Sequence, residues 1–529
     1  MLSKTVNTNP TYKPDEEPYL ENSVKHIYNE LLAKTKDVIV LGTAQGLIHW
    51  DMETMMPPNA VEQRSLQLEL LSRIGHQMST NPETGKLLQQ IQKNPAYDSL
   101  GEVEKRNVYL INKSYLEQTS LPEKLVAEMA RQETITVNTW KKAKAKKDFS
   151  LLKPELQKLF DLSMQAAEIL MKVKKTKTPY EALIDQFEPK MTTQKISETF
   201  DKLQAGLSPL LNKIQESEKH PDRTVLHNPV PVESQRQISQ LLTQTLGYDT
   251  ASPAACGRID ETEHPFTSGS YQDVRITTHY YVNDYANSIF SVLHESGHAI
   301  YELNVNPQWR YQPVGGTCSY GIHESQSRFY ENIVGRSKEF WIGFLPKLQK
   351  VAPALANVSL DDFIHAVNRV ERSKIRIESD EVTYNLHIII RYELERDLFA
   401  GKITIDELPQ VWNEKYAKYM DVKIENDSEG VMQDTHWSSG LYGYFPSYAL
   451  GNIYSGQIRE ALTRNLPDWQ NQLSQGNLKE LNSWLKENIH RPSDLYDPED
   501  LIMRATGKNL DPQPFLQYLQ GKYGELYGF

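Results

Sequence analysis

The sequence predicts a mostly α-helical protein with one small β-sheet, and three observations lead there. Apolar residues recur at three- and four-residue steps through most of the chain. Strand-like alternation is convincing only at 273–282. No low-complexity linker, internal repeat or composition shift divides the 529 residues.

Taken in order, residues 1–20 (MLSKTVNTNPTYKPDEEPYL) are polar and Pro-containing and are expected to form a flexible tail. They lack the apolar centre of a secretory signal. Residues 21–529 read as a single domain. Lysines from Lys141 to Lys147 suit the solvated face of a helix better than a binding patch. Leu152, Leu156, Leu159, Phe160, Ser163, Ala167 and Leu170 mark one buried helical stripe. Pro and Gly gather around 220–270 and 440–452. Asp273 to Val282 (DVRITTHYYV) is the strand candidate, with Val274, Ile276, Thr278 and Tyr280 on one face. Leu478, Leu481, Leu485 and Ile489 form a late helical stripe after the Gly476-Asn477 start signal.

Composition narrows the function classes. The chain has 58 basic and 69 acidic residues, a formal charge of −11, so nucleic acid is an unsuitable partner. Hydrophobic residues at 39% and charged residues at 24% fit a soluble globular protein large enough to bury its own core. No apolar run reaches the roughly 18 residues of a membrane span. Cys256 and Cys318 form no CxxC and no disulfide framework, and suit idle thiols in a reducing compartment. A cytoplasmic location is expected.

The chemistry concentrates at His294-Glu295-Ser296-Gly297-His298, an H-E-x-x-H sequence. On a helix, residues four apart share a face, so both imidazoles reach one ion. Glu295, turned about 100° from His294, stands beside the open position, where it can take a proton from water. Ile289, Val292, Leu293, Ala299, Ile300 and Leu303 place the motif on a buried helix. Gly297 inside it costs up to about 1 kcal/mol relative to Ala. A catalytic zinc site has three protein ligands and one open position. No third His follows at metzincin spacing, so the third ligand is expected to be an acid. Spacing favours Glu324 over Glu331, with Glu302 behind both.

Further motifs are more specific. HPF at His264–Phe266, DVRIT at Asp273–Thr277, HESGH at His294–His298, HESQ at His323–Gln326, IRIESD at Ile375–Asp380 and GVMQDTHW at Gly430–Trp437 occur in that order. The series resembles the thermostable zinc carboxypeptidases of the Taq carboxypeptidase family, peptidase family M32. WDMETMMPP at Trp50–Pro58, YEALIDQFEP at Tyr180–Pro189, GYFPSYALGN at Gly443–Asn452 and PFLQYLQGKY at Pro514–Tyr523 extend the likeness from about residue 25 to the end. The resemblance implies a saddle-like helical body with a deep central groove, a homodimer, and broad-specificity removal of C-terminal residues that spares chains ending near proline. It implies His294, His298 and Glu324 as metal ligands and Glu295 as the acid/base. Ser379 departs from the usual Ala of IRxxAD, and Asn59-Ala60 stand where Gly often follows the MP pair. Neither is a ligand, so substrate preference is what they could alter.

The expected reaction is metal-assisted peptide hydrolysis with one divalent ion per chain, zinc by preference and cobalt also suitable. By resemblance, His436, Tyr444 and Tyr448 are candidates to steady the oxyanion. A free carboxylate calls for a guanidinium: Arg376 first, Arg275 second, each with a structural alternative in an ion pair or a strand brace. Strand 273–282 could pair with an extended substrate by edge addition. His264 and His323 are expected to support ligand residues, and Asp380 or Asp434 to orient a ligand imidazole. The rival function is a related helical oligopeptidase or dipeptidase that needs no free C-terminus. A catalytically silent scaffold holding a structural metal conflicts with the retained Glu295.

Overall fold

The computed structural model describes residues 23–529; the tail expected at 1–20 lies outside them. Helices make up 70% of the structure, accompanied by one three-stranded sheet. The helix expected through Leu152 and Leu170 spans Phe149–Lys174, and every residue of the stripe is buried. Asp148 caps it by accepting from the Ser150 N–H, which satisfies one of the orphan donors at a helix start. The late stripe is likewise buried, from Leu478 at the cap of helix Lys479–Leu485 through that helix and the π-helical turn that follows. Lys141, Lys142, Lys146 and Lys147 are exposed as expected, whereas Lys144 folds over the Trp140 ring and donates to the Gln433 carbonyl.

The apolar residues gather into two clusters. The larger runs from Ala143 to the C-terminal helix. The smaller joins Val24, Tyr28 and Leu31 of the first helix to Leu88, Ile91, Val108 and Ile111. Polar ties link them: Arg106 donates to Asp494 at 2.6 Å and Asp497 at 3.0 Å, and Asn107 Oδ1 accepts from the Val314 N–H.

The sheet has the order β1 (Ile259–Glu261), β3 (Asp273–Thr278), β2 (Thr267–Ser270), with β1 parallel and β2 antiparallel to β3. This corrects two expectations. The strand ends at Thr278 rather than Val282, because Tyr281 and Asp284 bridge in the turn that starts the next helix. And β3 is central, with neighbours on both sides, so no substrate can add to its edge.

Helix Tyr285–Asn304, the motif helix, packs on β2 and β3 and crosses the short helix Tyr320–Arg328, here called the acid helix. The acid helix in turn lies against Phe445–Asn465. Both crossings depend on glycine. A Cβ on Gly297 would stand 2.5 Å from the Gln326 carbonyl oxygen, and one on Gly451 would stand 2.7 Å from Glu324 Cγ. The helical Gly297, unfavourable by propensity, is therefore what lets two backbones touch.

Candidate metal centre and active site

The close crossing brings His294, His298 and Glu324 together. One ligand atom from each lies within 4.8 Å of the others, the only such cluster of His, Cys, Asp or Glu among the described residues. Glu324 Oε2 is 3.7 Å from His294 Nε2 and 3.5 Å from His298 Nε2. These distances exceed good N–H···O hydrogen bonds. They approach the edge of about 3.4 Å that follows for a tetrahedron with metal–ligand bonds of roughly 2.0–2.1 Å. The donor set, two imidazoles and one carboxylate, fits a divalent ion of the zinc type.

Two of the three donors, His294 and Glu324, are hydrogen-bonded from behind, whereas His298 Nδ1 is buried without a partner among the described residues. His294 Nδ1 pairs with Glu331 Oε2 at 2.8 Å, and Glu331 also receives Arg328 at 3.2 Å. Burial pushes Glu331 up, but Arg328 and His294 outweigh it and hold it at about 2. The orienting carboxylate is therefore Glu331, which spacing had offered only as a ligand. Asp380 and Asp434, expected in that role, are used elsewhere. Asp380 accepts from Thr383 at 2.7 Å, and Asp434 is clamped between two arginines. Glu331 reaches His294 from the π-helical turn Phe329–Val334, whose wider winding follows the acid helix directly.

His298 stacks on His323 with centroids 4.4 Å apart, and His323 Nε2 pairs with Glu302 Oε1 at 3.0 Å. Glu302 is thus a partner of the supporting histidine. Burial and His323 push His298 down to about 3, which keeps its imidazole neutral. Burial pushes Glu324 up, but Arg328 and the two imidazoles hold it well below the usual carboxylate range. Arg328 Nε donates to Glu324 Oε1 at 2.7 Å, leaving Oε2 toward the histidines. Arg328 went unnoticed in the sequence, although its i+4 spacing from Glu324 was a usable signal.

Glu295 is buried, and its Oε2 accepts from Thr267 Oγ1 at 2.5 Å. Burial raises its pKa, so it holds a proton more readily than a solvated glutamate. Thr267 lies on β2, and nothing in the sequence pointed to it. His264 stands exposed on the segment entering β2.

Beyond the acid helix, Tyr384 lies between two guanidinium groups, Arg328 at 4.2 Å and Arg376 at 5.9 Å from its ring centre. Arg376 pairs with Asp434 through Nε and Nη2, at 3.0 and 2.8 Å, and its Nη1 donates to the Tyr384 hydroxyl. The buried ion pair expected as the structural alternative for Arg376 is therefore formed, with Asp434 as its partner. Arg391 takes the other Asp434 oxygen. Arg275 forks onto Asp273, with both contacts at 2.7 Å, and lies over the Trp50 ring, the posture of a strand brace. His436 Nε2 meets the Tyr448 hydroxyl at 3.2 Å, and burial pushes His436 down to about 4. Tyr444 packs against Tyr448, His436, Phe187 and Tyr320. The loop carrying His436 and Tyr444 is fixed by Glu395, which accepts from Trp437 Nε1, the Gly443 N–H and the Tyr180 hydroxyl at 2.8, 2.9 and 2.7 Å. Sequence reasoning missed Glu395, because its partners are distant in the chain.

A helical body that presents two histidines of an H-E-x-x-H helix and one acid of a neighbouring helix to a common point defines a metallopeptidase. The comparisons identify which kind. The sequence model of the Carboxypeptidase Taq (M32) metallopeptidase family matches residues 30–523, and the chain belongs to that family. It is 38% identical over 509 residues to "Thermostable carboxypeptidase 1" of Thermus thermophilus, covering 95% of this chain and 99% of the relative. "Carboxypeptidase 1" of Bacillus subtilis is 37% identical over 505 residues, covering 95% and 99%. Among solved structures, the M32 carboxypeptidase from Deinococcus radiodurans superposes with a TM-score of 0.91 at 34% identity, covering 95% of this chain and 100% of the other. The enzyme is a metallocarboxypeptidase of the M32 family. Among the described residues, no helix is long and apolar enough to cross a membrane.

Proposed function

We propose that the enzyme removes C-terminal residues from peptides with broad specificity. His294, His298 and Glu324 hold one divalent ion, zinc by preference, and Glu295 moves the proton. The observation that carries this reading is the convergence of those three side chains beside a buried glutamate. The ion, when bound, polarises the scissile carbonyl and acidifies water. Glu295 does the rest of the proton work. Thr267 occupies its Oε2, so Oε1 is left to accept the water proton and return it to the departing amine. The raised affinity of a buried carboxylate for a proton supports the dual role. Tyr444, Tyr448 and His436 are the groups that steady the oxyanion.

Arg376 is the preferred anchor for the substrate carboxylate. Its guanidinium has N–H groups beyond the three engaged by Asp434 and Tyr384. Arg275 is already spent on Asp273 and Trp50, so it stands second. The enzyme acts as a homodimer in the cytoplasm, with residues 21–529 as one domain. This part of the reading rests on the family resemblance and on two unpaired cysteines.

The test is product analysis of one N-blocked peptide, offered with a free and with an amidated C-terminus to zinc- or cobalt-loaded enzyme. Stepwise shortening of the free form alone is expected. Equal internal cleavage of both forms would refute the need for a free carboxylate and favour the oligopeptidase alternative.

A further inference from the structure

The motif YEALIDQFEP holds a carboxylate that no step of the reaction uses. Glu188 is fully buried, and its partners in the fold are neutral donors. Its Oε1 accepts from Ser319 Oγ at 3.1 Å and from the Tyr454 hydroxyl at 2.9 Å, and its Oε2 accepts from the Gly321 N–H at 3.0 Å. All three donors bear on the acid helix. Ser319 is its cap residue, and Gly321 lies in its first turn. Tyr454 belongs to the helix packed along it through Gly451.

The first N–H groups of a helix have no partner within it. Here the Tyr320 N–H donates to the Phe187 carbonyl at 3.0 Å, that of Gly321 to Glu188, and that of Ile322 to Ser319 Oγ at 3.1 Å. Residues 187 and 188 therefore fix where this nine-residue helix begins, and Glu324 lies three residues beyond Gly321. The fit is tight: a Cβ on Gly321 would stand 2.7 Å from Glu188 Oε2 and 3.0 Å from the Tyr454 ring.

We propose that Glu188 is a positioning residue for the metal centre, setting the axial position of the acid helix so that the Glu324 carboxylate meets His294 and His298. The proposal rests on the reading of Glu324 as a metal ligand. Burial pushes Glu188 up to about 7, against the pull of its three donors, so the fold retains a costly group at this point.

The distinguishing variant pair is Glu188→Gln and Glu188→Ala. A glutamine can turn its carbonyl to the Gly321 N–H and its amide to the two hydroxyls, both of which can accept. Alanine leaves all three donors without a partner. Zinc affinity, measured by chelator competition on protein shown to be folded by circular dichroism, should stay within about threefold of wild type for Glu188→Gln. It should fall at least about tenfold for Glu188→Ala, the range seen when groups behind metal ligands are removed. A folded Glu188→Ala protein with wild-type zinc affinity overturns the proposal. Should that variant fail to fold, Gly321→Ala presses on the same contact, and unchanged affinity there overturns the proposal equally. Glu324→Gln in the same titration separates the two readings. Unchanged affinity there removes the ligand assignment and the positioning role with it. Weakened affinity there, beside an unaffected Glu188→Ala, removes the positioning role alone.

Discussion

Substituting Gly297 by alanine adds one methyl group at the crossing on which the metal centre depends. The new Cβ would lie 2.5 Å from the Gln326 carbonyl oxygen and 2.7 Å from Ser327 Cα, both backbone atoms of the acid helix. Ordinary contact begins at about 3.4 Å, so the helices must part by 3.4 − 2.7 to 3.4 − 2.5, or about 0.7–0.9 Å. Glu324 lies on the helix that is pushed, two residues before Gln326, and its Oε2 stands 3.5 and 3.7 Å from the two imidazole nitrogens. A displacement of that size carries it past 4 Å from both, too far to share a tetrahedral ion. Two stability terms oppose each other. Alanine gains about 0.8–1.0 kcal/mol of helix propensity, while overpacking a filled crossing costs about 1–3 kcal/mol. A modest net destabilisation is expected, with a loss of metal affinity of tenfold or more. Chelator competition gives the affinity, and a thermal melt of the metal-free protein gives the stability. A Gly297→Ala protein that melts with the wild type and binds zinc equally well would refute the argument that glycine is there for close approach.

Three other outcomes follow from the same geometry. Glu295→Gln should keep metal affinity near wild type and lower kcat by about 10²–10⁴, since only the proton carrier is lost; an active variant sinks the assigned role. Arg376→Ala should raise KM for peptides with a free C-terminus by about 10–100-fold, the worth of a charge-assisted hydrogen bond, with less effect on kcat. Unchanged kinetics would move the anchor to Arg275 or elsewhere. Glu395→Gln must turn its amide toward either Trp437 Nε1–H or the Gly443 N–H, because those donors occupy opposite oxygens, and should destabilise by about 1–3 kcal/mol. Burial pushes Glu395 up to about 7. The stabilisation linked to its proton is therefore complete below its unfolded value of about 4.3 and lost as the pH rises through 7. The wild type's thermal advantage over Glu395→Gln should shrink between pH 5 and 8; a widening margin contradicts the assignment.

The sequence by itself determined the helical class, the buried stripes and the pairing of His294 with His298. Each is written in a short-range period that the backbone converts directly into a shared face. It also carried Glu324 as the favoured acid, and its ordered motifs carried the family. The tertiary structure decided which side chains stand behind those residues. Glu331, weighed as a ligand, braces His294 because a π-helical turn rotates it there, and Glu302 braces His323. Thr267, Glu188 and Glu395 gain their roles from partners 28, 131 and 42 residues away, distances at which no periodicity reaches. The strand at 273–278 was legible in its alternation, but its place between two neighbours was not, because pairing order depends on β1 and β2, which carry little alternation. Gly297 joins both lessons. Its presence in the motif was visible at once, whereas the reason for it, a second helix lying 2.5 Å from where a methyl group would be, exists only in the folded chain.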